Sequence, residues 1–181
     1  MTTHRSVAVF AALMLASTRE LSAQHDRRFT IHVGAAQADW VSPDQWAAAA
    51  AIDFRPVRSG RWAMLIGAHA LFNQFTPGTG ITRRQSVATA LLGAELRAHT
   101  SRSTRTFLSS ALAGSYWWYR YQPASANLRD GHALDAIGIL SGLRTEIGRG
   151  RGPAISLRAE VRTVFTDEWS WNPQVGVGVA F

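Results

Sequence analysis

The chain has 181 residues, 46% of them hydrophobic, and a formal net charge of +7. It holds no cysteine, which excludes a disulfide framework and a thiolate metal site. Its basic residues are all arginine, scattered through turns and alternating positions, which is not the gathered basic patch of a nucleic-acid binder.

Residues 1–23 read as a secretory signal peptide. His4 and Arg5 give a basic start, and the apolar run Val7–Ala16 suits an h-region but is too short to span a bilayer as a helix. Ser22 and Ala23 offer a cleavage site before Gln24, although Leu21 and the pair Arg19-Glu20 fit it poorly. The competing reading, an N-terminal core helix, is interrupted by that same charge pair. Residues 24–181 then form one domain. No later segment is apolar enough for a spanning helix, and mean hydropathy near zero suits either a soluble domain or a transmembrane barrel with alternating faces.

Eight strands follow in chain order. The first runs from about Arg28 to Trp40, with Phe29, Ile31, Val33 and Ala35 on one face. The second, Gln45–Val57, sends Trp46, Ile52 and Phe54 one way. After the turn Arg58-Ser-Gly-Arg61, the third runs Trp62–Phe75. A loop at Thr76–Gln85 precedes the fourth, Ser86–His99, whose alternation is less regular. A short turn leads to the fifth, Arg105–Tyr121, which ends in Tyr116-Trp-Trp-Tyr-Arg-Tyr121. The polar loop Gln122–His132 leads to the sixth, Ala133–Gly148. The seventh is Pro153–Phe165, and Thr166–Trp171 links it to the last. There Val175, Val177, Val179 and Phe181 alternate with Gly176, Gly178 and Ala180.

Connections after strands two, four and six are short and basic, and those after three and five are longer. This is the asymmetry between periplasmic turns and external loops. The predicted fold is all-β: an eight-stranded antiparallel up-and-down transmembrane β-barrel. Aromatics are expected in two interfacial girdles. Trp40, Trp46, Phe75, Trp117, Trp118, Tyr119, Tyr121, Trp169 and Trp171 fall near the external rim, and Phe29, Trp62, Phe107 and Phe181 near the periplasmic one. In a soluble sandwich the same residues would be core.

The face opposite the aliphatic one carries His32, Asp53, Arg55, His69, Glu95, Arg97, Arg144, Glu146, Arg158, Glu160 and Arg162. An eight-stranded barrel is just wide enough for its own side chains. Charges inside must therefore pair, and a salt-bridged polar plug is expected. A gated pore and a catalytic carboxylate site are the alternatives.

By topology, alternation and the aromatic end Phe181, the chain resembles the small eight-stranded outer-membrane barrels of the OmpA transmembrane-domain and OmpX type. The resemblance implies a monomer in the bacterial outer membrane. It implies contact with outer-membrane lipids and lipopolysaccharide, Phe181 as the signal read by the barrel assembly machinery, and no cofactor. No separate peptidoglycan-binding domain is expected.

Some barrels of this size modify lipid A. The deacylases among them use a His-x-Ser element with a carboxylate, but the one such element after the signal segment, His99-Thr-Ser101, falls at a periplasmic turn. His132 near Asp130 and Asp135 is the other arrangement to weigh, against a solvated loop histidine. The histidines show no metal-ligand spacing. Arg83, Arg84, Arg120 and Arg129 are placed near the external rim, where they contact lipid phosphates or are merely solvated. A soluble lipocalin-like carrier of an apolar ligand is the reading from another class, and it requires the aliphatic face to point inward.

Overall fold

A computed structural model describes residues 27–37, 46–76, 82–122, 130–149, 152–165 and 169–181. The strands are β1 (Phe29–Gln37), β2 (Trp46–Phe54), the two-residue β3 (Arg58–Ser59), β4 (Trp62–Phe75), β5 (Thr82–Thr100), β6 (Thr104–Gln122), β7 (Gly131–Ile147), β8 (Ala154–Phe165) and β9 (Trp169–Ala180). Every pairing is antiparallel, in the order β2-β1-β9-β8-β7-β6-β5-β4-β3. A further pairing of β2 with β4 closes the sheet into a barrel with eight long staves. The seam between β1 and β9 matches Ile31 to Val179 and Val33 to Val177. Reciprocal backbone hydrogen bonds between Phe29 and Phe181 finish it.

The period of two decides which way each residue faces. Phe29, Ile31, Val33, Ile52, Trp62, Ile66, Phe72, Leu92, Leu108, Leu112, Ile155, Leu157, Val175, Val177 and Val179 are all exposed, while their neighbours in sequence turn into the lumen. Thr30, Asp53, Glu95, Ser115, Glu146 and Ser156 are 2% exposed or less. The molecule is thus inverted relative to a water-soluble protein, with an apolar outside and polar inside. That arrangement is stable only in a hydrocarbon surround.

Strand β4 has the expected bounds, whereas others reach further at the external end. β5 begins at Thr82, four positions before Ser86, because Thr82–Gln85 pairs with Tyr119–Gln122. The polar Thr-Arg-Arg-Gln has no apolar alternation to announce a strand, yet its backbone continues the ladder. For the same reason β7 begins at Gly131 and β9 at Trp169, the latter pairing with Phe165. The loops expected at Thr76–Gln85, Gln122–His132 and Thr166–Trp171 are correspondingly shorter. β5 and β6 have 19 residues each, more than the roughly 9–11 that suffice for a tilted crossing.

Glycine is required at the seam. A Cβ on Gly178 would come within 1.8 Å of the Ile31 carbonyl oxygen. The backbones of β1 and β9 approach there more closely than any side chain allows.

Candidate functional site

The lumen holds a layered arrangement of charge. Towards the periplasmic end, Glu95 on β5 bridges two arginines from different parts of the wall. Arg55, just beyond β2, reaches it through Nε at 2.8 Å and Nη2 at 3.0 Å. Arg144 on β7 reaches it through Nε at 3.0 Å and Nη2 at 2.7 Å. Both are bidentate forks, the geometry in which a guanidinium and a carboxylate are strongest. Arg144 also pairs with Glu146, its neighbour on the same strand face, and stacks on Phe107 with 4.1 Å to the ring centroid. Arg55 donates to the Thr30 hydroxyl. Arg27, just before β1, donates to Glu146 at 3.1 Å and to the Gly152 carbonyl at 2.8 Å.

A second group lies nearer the external side. Arg158 on β8 meets Asp53 at 2.9 Å and Glu160 at 2.5 Å. Its Nη2 lies 2.7 Å from His69 Nε2, which is 3.2 Å from Asp53. Gln174 on β9 donates to Glu160 at 2.7 Å. His32 and Ser156 are 2.9 Å apart. Beside these residues is a cavity of about 20 Å³, room for roughly one water and far too small for an apolar cargo. The lipocalin-like reading fails on this geometry, since its apolar face is outside.

Apolar side chains fill the rest of the lumen. Leu65, Leu91, Ala111, Ala113 and Leu140 pack together on one side. Ala36, Ala47, Leu71, Val87 and Trp117 pack towards the external end. The interior is therefore part ionic and part hydrophobic, where the sequence suggested only polar filling.

Of the residues expected in the lumen network, Asp53, Arg55, Glu95, Arg144, Glu146, Arg158, Glu160 and Arg162 are all buried. Arg97 lies at the edge of this set. It shares the lumen-facing row but sits at the periplasmic mouth, half-buried, donating to the Gly60 carbonyl at 3.1 Å. Arg27 joins the network through Glu146. It lies ahead of the first strand, where no alternation marks its direction.

The aromatic assignments need the same correction by face. In Tyr116–Tyr121 consecutive residues point to opposite sides. Trp118 is 45% exposed on the outer wall, whereas Trp117 is 5% exposed in the lumen. Tyr119 and Tyr121 share Trp117's row, so only Tyr116 and Trp118 can belong to a girdle, joined by Trp46 at the external end. Tyr119 packs on Trp117 instead. Phe107 likewise faces inward beneath Arg144. At the periplasmic end Trp62, Phe29 and Phe181 are outward and about half exposed. Trp40 lies outside the described residues, and for Trp169 and Trp171 only the backbone is described.

The external arginines also divide. Arg83 shares the lumen-facing row and covers the Tyr119 ring at 4.5 Å, which removes it from lipid contact. Arg84 and Arg120 are exposed on the outer wall and directly opposite one another across β5 and β6. One step towards the membrane, the next outward pair is Ser86 and Trp118. Gln74 accepts a hydrogen bond from Arg84 at 3.1 Å. Arg129 is outside the described residues.

The described side chains of the arrangements weighed for catalysis make other contacts. The Ser101 hydroxyl, 2.6 Å from Thr104 Oγ1 and accepting from the Thr104 amide at 3.1 Å, builds the β5–β6 turn. His132 stacks on Tyr116, Asp130 accepts from the Tyr121 amide, and Asp135 is matched to Ser115 further along β7. The buried pair His32–Ser156 has no carboxylate on the histidine's second nitrogen to complete a triad. Among the described residues no three His, Cys, Asp or Glu side chains gather as a metal site.

No protein-family profile and no curated protein sequence matches this chain. Solved structures do. Neisserial surface protein A is similar at a TM-score of 0.61 and 11% identity, over 84% of this chain and 94% of that one. A major outer-membrane protein of Thermus thermophilus is similar at 0.56 and 11% identity, over 85% and 98%. Ail, the attachment invasion locus protein of Yersinia pestis, solved with the heparin analogue sucrose octasulfate, is similar at 0.54 and 11% identity, over 86% and 99%. At such identities the likeness concerns the fold. With its outward apolar wall, closed sheet and polar lumen, the chain has the fold of the small eight-stranded barrels that reside in the bacterial outer membrane.

Proposed function

We propose that this protein is a non-catalytic integral outer-membrane barrel that holds lipopolysaccharide phosphate at its external rim, its lumen closed by the ionic network. The observation that carries the reading is the opposition of Arg84 and Arg120 immediately above Trp118. Like charges directly across a ladder are destabilising, and no carboxylate among the described residues is bonded to either. An anion at headgroup height relieves that repulsion and accepts from both guanidiniums. The aromatic marks the height.

Purified lipopolysaccharide should raise the unfolding midpoint of the detergent-folded protein, and Arg84→Ser/Arg120→Ser should abolish the increase, with an unliganded midpoint at or above the parent's because the repulsion is gone. An equal increase in both proteins refutes the assignment. Closure is supported by Glu95 tying Arg55 to Arg144 across the lumen. It is checked in planar bilayers, where steady conductance by the parent protein would contradict a plug. Export by a signal peptide over 1–23, which lies outside the described residues, and recognition of Phe181 by the barrel assembly machinery belong to the same reading, as does a monomeric state.

A further inference from the structure

The periplasmic end of the barrel is covered by arginine. Arg28 stands at the start of β1, Arg61 in the β3–β4 turn, Arg102 in the β5–β6 turn and Arg149 in the β7–β8 turn, and all four are exposed. Every described turn at this end thus carries at least one. Behind them Arg58, Arg97 and Arg105 are half-buried. Their register partners are Ala63, Phe107 and Glu146, all three buried in the lumen. The strand-borne charge therefore surrounds the mouth of the barrel. The outward row at the same height, with Val57, Trp62, Ile147 and Ile155, is apolar. Asp53, Glu95, Glu146 and Glu160 are buried inside, and Asp130 lies at the opposite end beside Tyr121. Among the described residues no exposed side-chain carboxylate occurs at the periplasmic end.

We propose that this crown docks the barrel onto a carboxylate-bearing polymer lying along its axis in the periplasm, for which the stem-peptide carboxylates of peptidoglycan are the matching chemistry. Three features favour it over the phospholipid headgroups of the inner leaflet. The charge rings the mouth and leaves the lipid-facing row uncharged. The cations are guanidiniums, whose fork fits a carboxylate. They are spread over separate turns, which suits a repeated anion engaged at several points and not a single small one. Individually such exposed pairs are weak and salt-screened, so the attachment is multivalent and reversible.

The test is co-sedimentation of the full chain, folded in a zwitterionic detergent, with purified peptidoglycan sacculi. The parent is expected to sediment at low salt and to be released as salt is raised. Sacculi whose carboxylates have been amidated should not retain it. Arg61→Ser/Arg102→Ser/Arg149→Ser should bind at least about fivefold more weakly, with its heat-dependent gel mobility intact because all three positions are exposed turn residues. Arg84→Ser/Arg120→Ser, at the other end, should bind sacculi like the parent, which separates this site from the lipopolysaccharide contact. Undiminished binding by the triple variant, retention by amidated sacculi, or capture by anionic phospholipid vesicles but not by sacculi would each overturn the proposal.

Discussion

Removing the Glu95 carboxylate is the sharpest perturbation of the lumen. Glu95 is 1% exposed and accepts four hydrogen bonds from two guanidiniums. In Glu95→Ala, Arg144 keeps Glu146 and the Phe107 ring, and Arg55 keeps the Thr30 hydroxyl. Two buried cations then face each other across the space the carboxylate occupied. Four charge-assisted bonds at roughly 1.5–3 kcal/mol each would sum to more than a network can lose, because such terms are not additive. The cost of breaking a buried pair, about 3–5 kcal/mol, is the better guide. For a domain of this size about 2–4 °C of midpoint accompanies each kcal/mol, so Glu95→Ala should unfold roughly 6–20 °C lower. The assay is loss of the fast-migrating folded band on unheated gels, sampled along a temperature series at one fixed scan rate. Glu95→Gln, which keeps the shape and one acceptor oxygen, should fall in between. A Glu95→Ala midpoint indistinguishable from the parent's would show that Glu95 does not hold the two arginines together.

Val177 is half exposed on the outer wall, so Val177→Arg should cost up to about 2–4 kcal/mol of insertion if it sits near the midplane; unchanged folding yield into lipid vesicles would contradict a lipid-facing β9. Gly178→Ala should cost towards the upper end of roughly 1–3 kcal/mol, since the added carbon meets the Ile31 carbonyl and backbone cannot step aside as a side chain can; a wild-type refolded fraction would mean that the seam is looser than described. In single-tryptophan variants, brominated lipid should quench Trp118 and leave Trp117 bright, because one is 45% and the other 5% exposed. Equal quenching would reverse the facing of β6.

Which parts of this structure are legible in sequence follows from what creates a periodic signal. The alternation at Phe29–Ala35 and Val175–Phe181 is forced by a boundary between hydrocarbon and lumen, so those strands and their faces can be read directly. Thr82–Gln85 lies beyond the apolar outer wall, with Arg84 opposite Arg120, and it is a strand only because β6 continues beside it. The lumen row shows the same limit. Glu95 and Arg144 can be placed inside by parity. That one carboxylate binds Arg55 and Arg144 together depends on barrel curvature, which adds no periodic signal. Arg27 is a harder case, lying before any alternation begins, and its burial is set by Glu146, 119 residues away. The run Tyr116–Tyr121 was legible in principle. Its aromatics are dense enough to suggest a girdle as a block, yet parity already divides it.

The route by which the chain reaches this state is constrained by the same long separations. Arg158 reaches Asp53 across 105 residues of sequence, as Arg27 reaches Glu146 across 119. Until β9 lies against β1, the lumen is open and these charges have water as their partner. Closing the seam removes that water and joins the pairs in one event. Chains dominated by such distant contacts fold slowly, because loop entropy is lost before the contacts compensate it. The ionic interior therefore contributes little to starting the barrel and much to keeping it shut. Its buried pairs should act chiefly on the rate of opening, as a latch that engages after the last strand has docked.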